Sequence, residues 1–186
     1  MTQRWPWTVL LLLSLGVILP QFLVPLALPP GTLHAPVSVS FDRPETWPYA
    51  FGAMVCHQRP DRSFSLRENQ LPVCERCLAI ELGMTLAFGA AALVPPPPGF
   101  FASLGHFLPR RLRGRAGVLT AGIALVLPMV LDGGLQLVTP YVSTTPVRVL
   151  TGLLYGVGQG GLAIGVVGWL TALAARWHRR VPPKPS

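Results

Sequence analysis

This 186-residue sequence has little charge. Only 12% of its residues are Asp, Glu, Lys or Arg, about half the share usual in a soluble domain. Acids are scarcer still, 7 against 15 bases. So few charges do not cover the surface of a soluble globule this long, and a single membrane domain over residues 1–186 is the expected organisation. Cysteine is scarce too. Three are too few for a disulfide scaffold. No phosphate-binding loop, no Ser-His-Asp order and no pair of catalytic carboxylates is present, so whether the chain is an enzyme stays open. No nucleic-acid motif accompanies the net charge of +8.

What is abundant is apolar length. Hydrophobic residues make up 51% of the chain and the mean hydropathy is +0.49. Crossing a hydrocarbon core takes about 20 helical residues. Four stretches qualify by length and lack of charge: Trp7 to about Leu28, Cys77 to Val94, Ala116 to Val138, and Val147 to Ala175. The first exceeds the core of a signal peptide, and no small-x-small site follows it cleanly, so it reads as a helix. Pro20 and Pro25 predict that it kinks or ends early. The expected fold is all-α, an integral membrane four-helix bundle. A long extracytoplasmic loop, residues 31–76, joins helices one and two.

The distribution of charge orients this bundle. Arg4 precedes the first helix. Arg110, Arg111, Arg113 and Arg115 lie between the second and third, and Arg176, Arg179, Arg180 and Lys184 follow the fourth. None of these segments holds an acid, whereas the long loop balances five acids against five bases. Bases concentrate on the cytoplasmic side of membrane proteins. Both termini are therefore expected inside the cell membrane and the long loop outside. The high pI then reflects topology and attraction to anionic lipid, and the expected partner is the bilayer rather than a nucleic acid.

That loop holds the chemistry. Cys56-His57 is followed by Cys74-Glu75-Arg76-Cys77. A C-x-x-C pair at the start of a helix brings two sulfurs within reach of one ion, and zinc wants four ligands, commonly thiolate or imidazole. Cys56, His57, Cys74 and Cys77 form such a set, with His34 or Glu81 as substitutes for His57 because adjacent residues do not easily bind one metal. Zinc is the cofactor this implies. Two other readings stand beside it. An outward-facing loop is an oxidising setting in which a plain disulfide persists. A thiol–disulfide oxidoreductase would use Cys74 and Cys77, with Cys56 as the resolving thiol. A small transporter subunit or assembly factor is a further class, supported by the helices alone.

Cys74, Cys77 and Glu81 share one helical face. A carboxylate one turn inside a membrane helix needs a partner or a role. Asp132 and Gln136 in the third helix and Arg148 in the fourth lie at the same level. The four polar residues Glu81, Asp132, Gln136 and Arg148 are read as a polar pocket under the cysteine loop, with Asp132 and Arg148 as an ion pair. The fourth helix also carries Gly152, Gly156 and Gly160, a small-residue stripe that admits close approach of another helix. That stripe is read as an interface for a second copy or a membrane partner.

Two blocks, CHQRPDRSFSLRENQLPVCERCLAIELG and DGGLQLVTPYVSTTPVRVLTGLLYGVG, resemble the signature of the membrane family called domain of unknown function 2085. The resemblance implies a multi-pass membrane protein, with family positions at Cys56, His57, Gln58, Pro60, Arg62, Ser63, Cys74, Arg76 and Cys77. In the second block it implies Asp132, Gln136, Arg148, Thr151 and Gly152. The chain departs where the family has Gly-Ile-Tyr and this sequence has Ala79-Ile80-Glu81. In architecture it is also similar to the disulfide-bond-formation protein B and vitamin K epoxide reductase types, whose second cysteine pair it lacks.

Overall fold

The computed structural model describes residues 4–33 and 43–180. The described residues are mostly helical, with six α-helices among them: α1 Trp5–Ala27, α2 Trp47–Val55, α3 Glu75–Leu93, α4 Phe100–His106, α5 Arg115–Val138 and α6 Thr145–Arg180. Four of them, α1, α3, α5 and α6, are long and apolar enough to cross a membrane. They match the expected stretches to within a few residues, except that α6 runs further at its C-terminal end. Their outward faces carry large exposed apolar side chains, such as Leu12, Leu86, Ile123 and Leu162. In a bilayer these meet lipid tails, which are as apolar as the side chains themselves.

α3 packs between α1 and α6, and α6 packs in turn against α5. Small residues set the α3–α6 contact. A Cβ on Gly156 would come within 2.1 Å of the Ile80 carbonyl oxygen, and one on Gly152 within 2.7 Å of that of Arg76. From the other side, a Cβ on Gly83 would fall 2.3 Å from the Leu153 carbonyl oxygen. The two backbones touch, and any side chain at these positions would force them apart. This corrects the reading of the glycine stripe as an interface for a second copy: its occupant is α3 of the same chain. The reason is a matching stripe, Ala79, Gly83 and Ala87, on α3.

The prolines of α1 neither end nor replace the helix, which continues through Pro20 and Pro25 to Ala27. Membrane helices tolerate proline when other groups satisfy the carbonyls it frees. Pro29 and Pro30 have no N–H for the carbonyls of Pro25 and Leu26. Those carbonyls accept instead from Asn69 Nδ2 at 3.0 Å and from Arg67 at 2.8 Å.

The donors belong to a feature that apolar length does not reveal. The described part of the long loop from residue 43 on folds into a cap, with the helix α2 and a short hairpin of β1 Ser65–Leu66 and β2 Asn69–Gln70. Arg67 and Glu68, at φ 51° and 64°, make its two-residue turn, the left-handed conformation such turns require. Asn69 is fully buried, and its Oδ1 accepts the N–H groups of Thr32 and Leu33 at 2.8 and 2.9 Å. One side chain thus ties the end of α1 to the cap.

Candidate metal centre

Three cysteines converge where the cap meets the first turn of α3. Cys56 is the residue after α2, Cys74 is the N-cap of α3, and Cys77 lies in its first turn. Their sulfurs all lie within 4.8 Å of one another, and none is in a disulfide. Cys74 is buried and the other two are half-buried. Tetrahedral coordination with zinc–sulfur bonds of about 2.3 Å puts sulfurs roughly 3.8 Å apart. A disulfide holds two at about 2.05 Å. The three free sulfurs are not in the second arrangement and lie near enough together for the first.

The backbone shapes the cluster. Cys56 Sγ accepts the N–H of Cys74 at 3.2 Å and that of Gln58 at 3.4 Å. Gln58 adopts a left-handed backbone conformation, φ 49°, which turns the chain back towards that sulfur. Its side chain holds the turn in place, donating to the carbonyls of Tyr49 and Pro72 at 2.7 Å each. Gln70 Nε2 donates to the Gln58 carbonyl at 2.9 Å. Gly52 is required here, because a Cβ would lie 2.4 Å from the Pro72 carbonyl oxygen. The buried phenol of Tyr49 donates to the Gln70 carbonyl, and burial pushes its pKa up.

Hydrogen bonds from the Cys74 thiol, then from the Cys77 thiol, hold the Cys56 thiol well below the ordinary thiol range; burial opposes them and the two backbone N–H groups reinforce them. The charged form is thus favoured at Cys56. Its stabilising contribution is fully present above the unfolded-state pKa and is lost only as pH falls through the lowered folded value. In the metal-free protein, Cys56 is therefore expected to be alkylated first at pH 6, read by mass mapping of iodoacetamide adducts. A Cys56 profile with its midpoint near the ordinary value of about 8.5 would contradict the hydrogen-bonded arrangement.

The other predicted site residues divide. The ligand atoms brought together are the three sulfurs, without His57 or Glu81. His57 is exposed, and its Nδ1 accepts the Arg59 N–H at 3.4 Å. His34 lies outside the described residues. Asp132, Gln136 and Arg148 do share one network. Gln136 Nε2 donates to the Asp132 carbonyl at 3.1 Å, and Ser143 Oγ donates to the Asp132 carboxylate at 3.1 Å. Arg148 donates to the Ser143 carbonyl. Glu81 instead faces α1, where the almost fully buried Gln21 donates to it.

The ion pairs differ from the expected one. Asp132 pairs with Arg76, and Arg148 pairs with Glu75 at 3.0 Å. Thr145 Oγ1 adds a hydrogen bond to Glu75 at 3.0 Å, and Tyr141 OH one to Asp132 at 3.2 Å. Glu75 and Arg76 are the two residues inside the C-x-x-C motif. On a helix they point about 100° apart, so one reaches α6 and the other α5. The sequence marked Arg76 only through the family resemblance and gave Glu75 no role. The signal available was two opposite charges on the first turn of a membrane helix, where an unpaired charge is costly.

The family model described as "Predicted membrane protein (DUF2085)" matches residues 56–162. Those residues begin at the first cysteine and include both ion pairs. An uncharacterized protein of Methanothermobacter thermautotrophicus is 33% identical over 104 residues, 56% of this chain and 79% of that protein. An uncharacterized protein of Methanocaldococcus jannaschii is 29% identical over 108 residues, 58% of this chain and 60% of that protein. No solved structure matches the chain.

Proposed function

The chain belongs to the DUF2085 family of predicted membrane proteins, and from that premise we propose that it is a membrane metal-binding protein. Cys56, Cys74 and Cys77 hold one zinc ion, and the ion fastens the loop cap to the start of α3. The observation that carries this reading is the convergence of three free thiol sulfurs within 4.8 Å from segments 18 residues apart. Two backbone N–H groups directed at Cys56 Sγ favour a thiolate there, and thiolate is the form that binds metal. His57 supplies the fourth ligand. It is exposed and held by one long contact, which leaves its ring free to turn inward despite its adjacency to Cys56.

The cluster lies at the ends of the helices opposite the arginines of residues 110–115. Under the positive-inside rule this puts the zinc site outside the cytoplasmic membrane and the helix ends bearing Arg4 and Arg176 inside. The whole chain, residues 1–186, acts as one membrane domain with its polar network of Asp132, Gln136 and Arg148 beneath the cap.

A second reading draws on the same thiolate. A low-pKa cysteine beside two thiols is the arrangement of a thiol–disulfide oxidoreductase. Elemental analysis of protein purified without chelator, together with a count of free thiols under denaturing conditions, separates the two. The metal reading expects one zinc and three thiols per chain. One thiol per chain without metal would overturn it in favour of the redox pair.

A further inference from the structure

We propose that the groove between α4, α5 and α6, on the side of the protein opposite the cysteines, binds an anionic phospholipid. The groove is a cavity of about 480 Å³ lined by apolar side chains, among them Phe101, Leu104, Val118 and Leu125. That volume lies in the range of small-molecule sites, about 300–1,000 Å³, and suits an acyl chain.

The rim is what selects the headgroup. Residues 110–115 bridge the ends of α4 and α5. A Cβ on Gly105 of α4 would lie 3.0 Å from the Arg113 carbonyl oxygen, and one on Gly117 of α5 only 2.4 Å from that of Leu112. Arg115 thus stands at the end of the groove, and Arg110, Arg111 and Arg113 lie in the segment that joins α4 to α5 at that end. The Arg115 guanidinium sits 5.6 Å from the centroid of Phe101, a ring of the groove wall. On α5, Arg115 is one turn before Val118 and Leu119, which also line the groove. Arg110, Arg111, Arg113 and Arg115 are exposed, and among the described residues none is in an ion pair. The sequence from Pro95 to Leu131 contains no acid that would neutralise them. An uncompensated cationic rim above an apolar groove fits one ligand chemistry, a phosphate-bearing headgroup carrying a net negative charge on a hydrocarbon chain.

This site shares no residue with the cysteine cluster, and its test is independent of metal. The full chain, purified in detergent, is incubated with equal amounts of dioleoyl phosphatidylglycerol and dioleoyl phosphatidylcholine and examined by native mass spectrometry. Phosphatidylglycerol is expected to be retained in excess. Arg111→Gln and Arg115→Gln are each expected to lower that excess about fivefold, the effect of one arginine near a lipid surface. Gly122 lines the groove, and a Cβ there would meet nothing within 4 Å. Gly122→Leu therefore fills the groove and should abolish retention at unchanged helicity. Gly122→Ala, the milder change, should lower it in part if the leucine variant does not fold. Equal retention of the two lipids would overturn the proposal, as would an excess indifferent to both arginines. Displacement of the lipid by inorganic phosphate would leave only a free-anion site and overturn it too.

Discussion

Zinc affinity is expected to fall by about a hundredfold or more when any one of Cys56, Cys74 or Cys77 is replaced by serine. Structural zinc sites are worth roughly 10–16 kcal/mol at neutral pH, so one ligand in four carries on the order of 3 kcal/mol. The hydroxyl that replaces the thiol is a poorer ligand for a borderline-soft ion. Competition with a chelating dye measures the loss. The three substitutions should be similar in size, because the three sulfurs lie within one 4.8 Å cluster. His57→Ala should cost less than any of them, since water takes the vacated position. Loss of metal should also loosen the cap, read as faster proteolysis between α1 and α3. Affinity itself should drop as pH falls, because every ligand must be deprotonated to bind. If Cys56→Ser alone leaves affinity intact, the metal site does not span the two segments and the proposal fails.

The second large effect concerns the charges beneath the cap. Asp132→Ala is expected to destabilise the bundle by about 3–5 kcal/mol, because it leaves the Arg76 guanidinium without its partner in a largely buried place. Glu75→Ala should do the same to Arg148, whose side chain is 10% exposed. Replacing both members of a pair by apolar residues should recover much of the loss, since no lone charge then remains. Double-mutant cycles on thermal unfolding in detergent give the assignment. Direct partners in contact couple by about 0.5–3 kcal/mol. Asp132 with Arg76, and Glu75 with Arg148, should show that coupling. Asp132 with Arg148 should show less, because they meet only through Ser143. The reverse ranking would contradict the observed pairing.

These pairs also bear on the cysteine cluster. Cys74 and Cys77 are carried by the same first turn as Glu75 and Arg76, so the turn is held to α6 and α5 by the residues between its own cysteines. The geometry of two of the three sulfurs therefore depends on charges more than fifty residues away in the chain.

How much of this was legible beforehand depends on the range of the interaction involved. The four crossing helices were written in the sequence, since span length and absence of charge are properties of one contiguous window. The likeness between Cys56, Cys74 and Cys77 and a thiolate site was also visible, because ligand type and the C-x-x-C spacing are local. The folded cap was not. Its organisers, Asn69, Gln58 and Tyr49, act by bonding carbonyls of remote segments, and nothing near them in sequence marks those partners. The same limit applies to the charges. Asp132 and Arg148 are each a lone charge near the end of an apolar stretch, and from sequence they look made for each other. Only the packing order of α1, α3, α6 and α5, and the rotation of each helix about its axis, sends Asp132 to Arg76 and Arg148 to Glu75. The glycine stripe follows the same rule. A stripe of small residues states that a backbone comes close, and the tertiary structure decides that it is the backbone of α3, whose own Ala79, Gly83 and Ala87 leave the matching space.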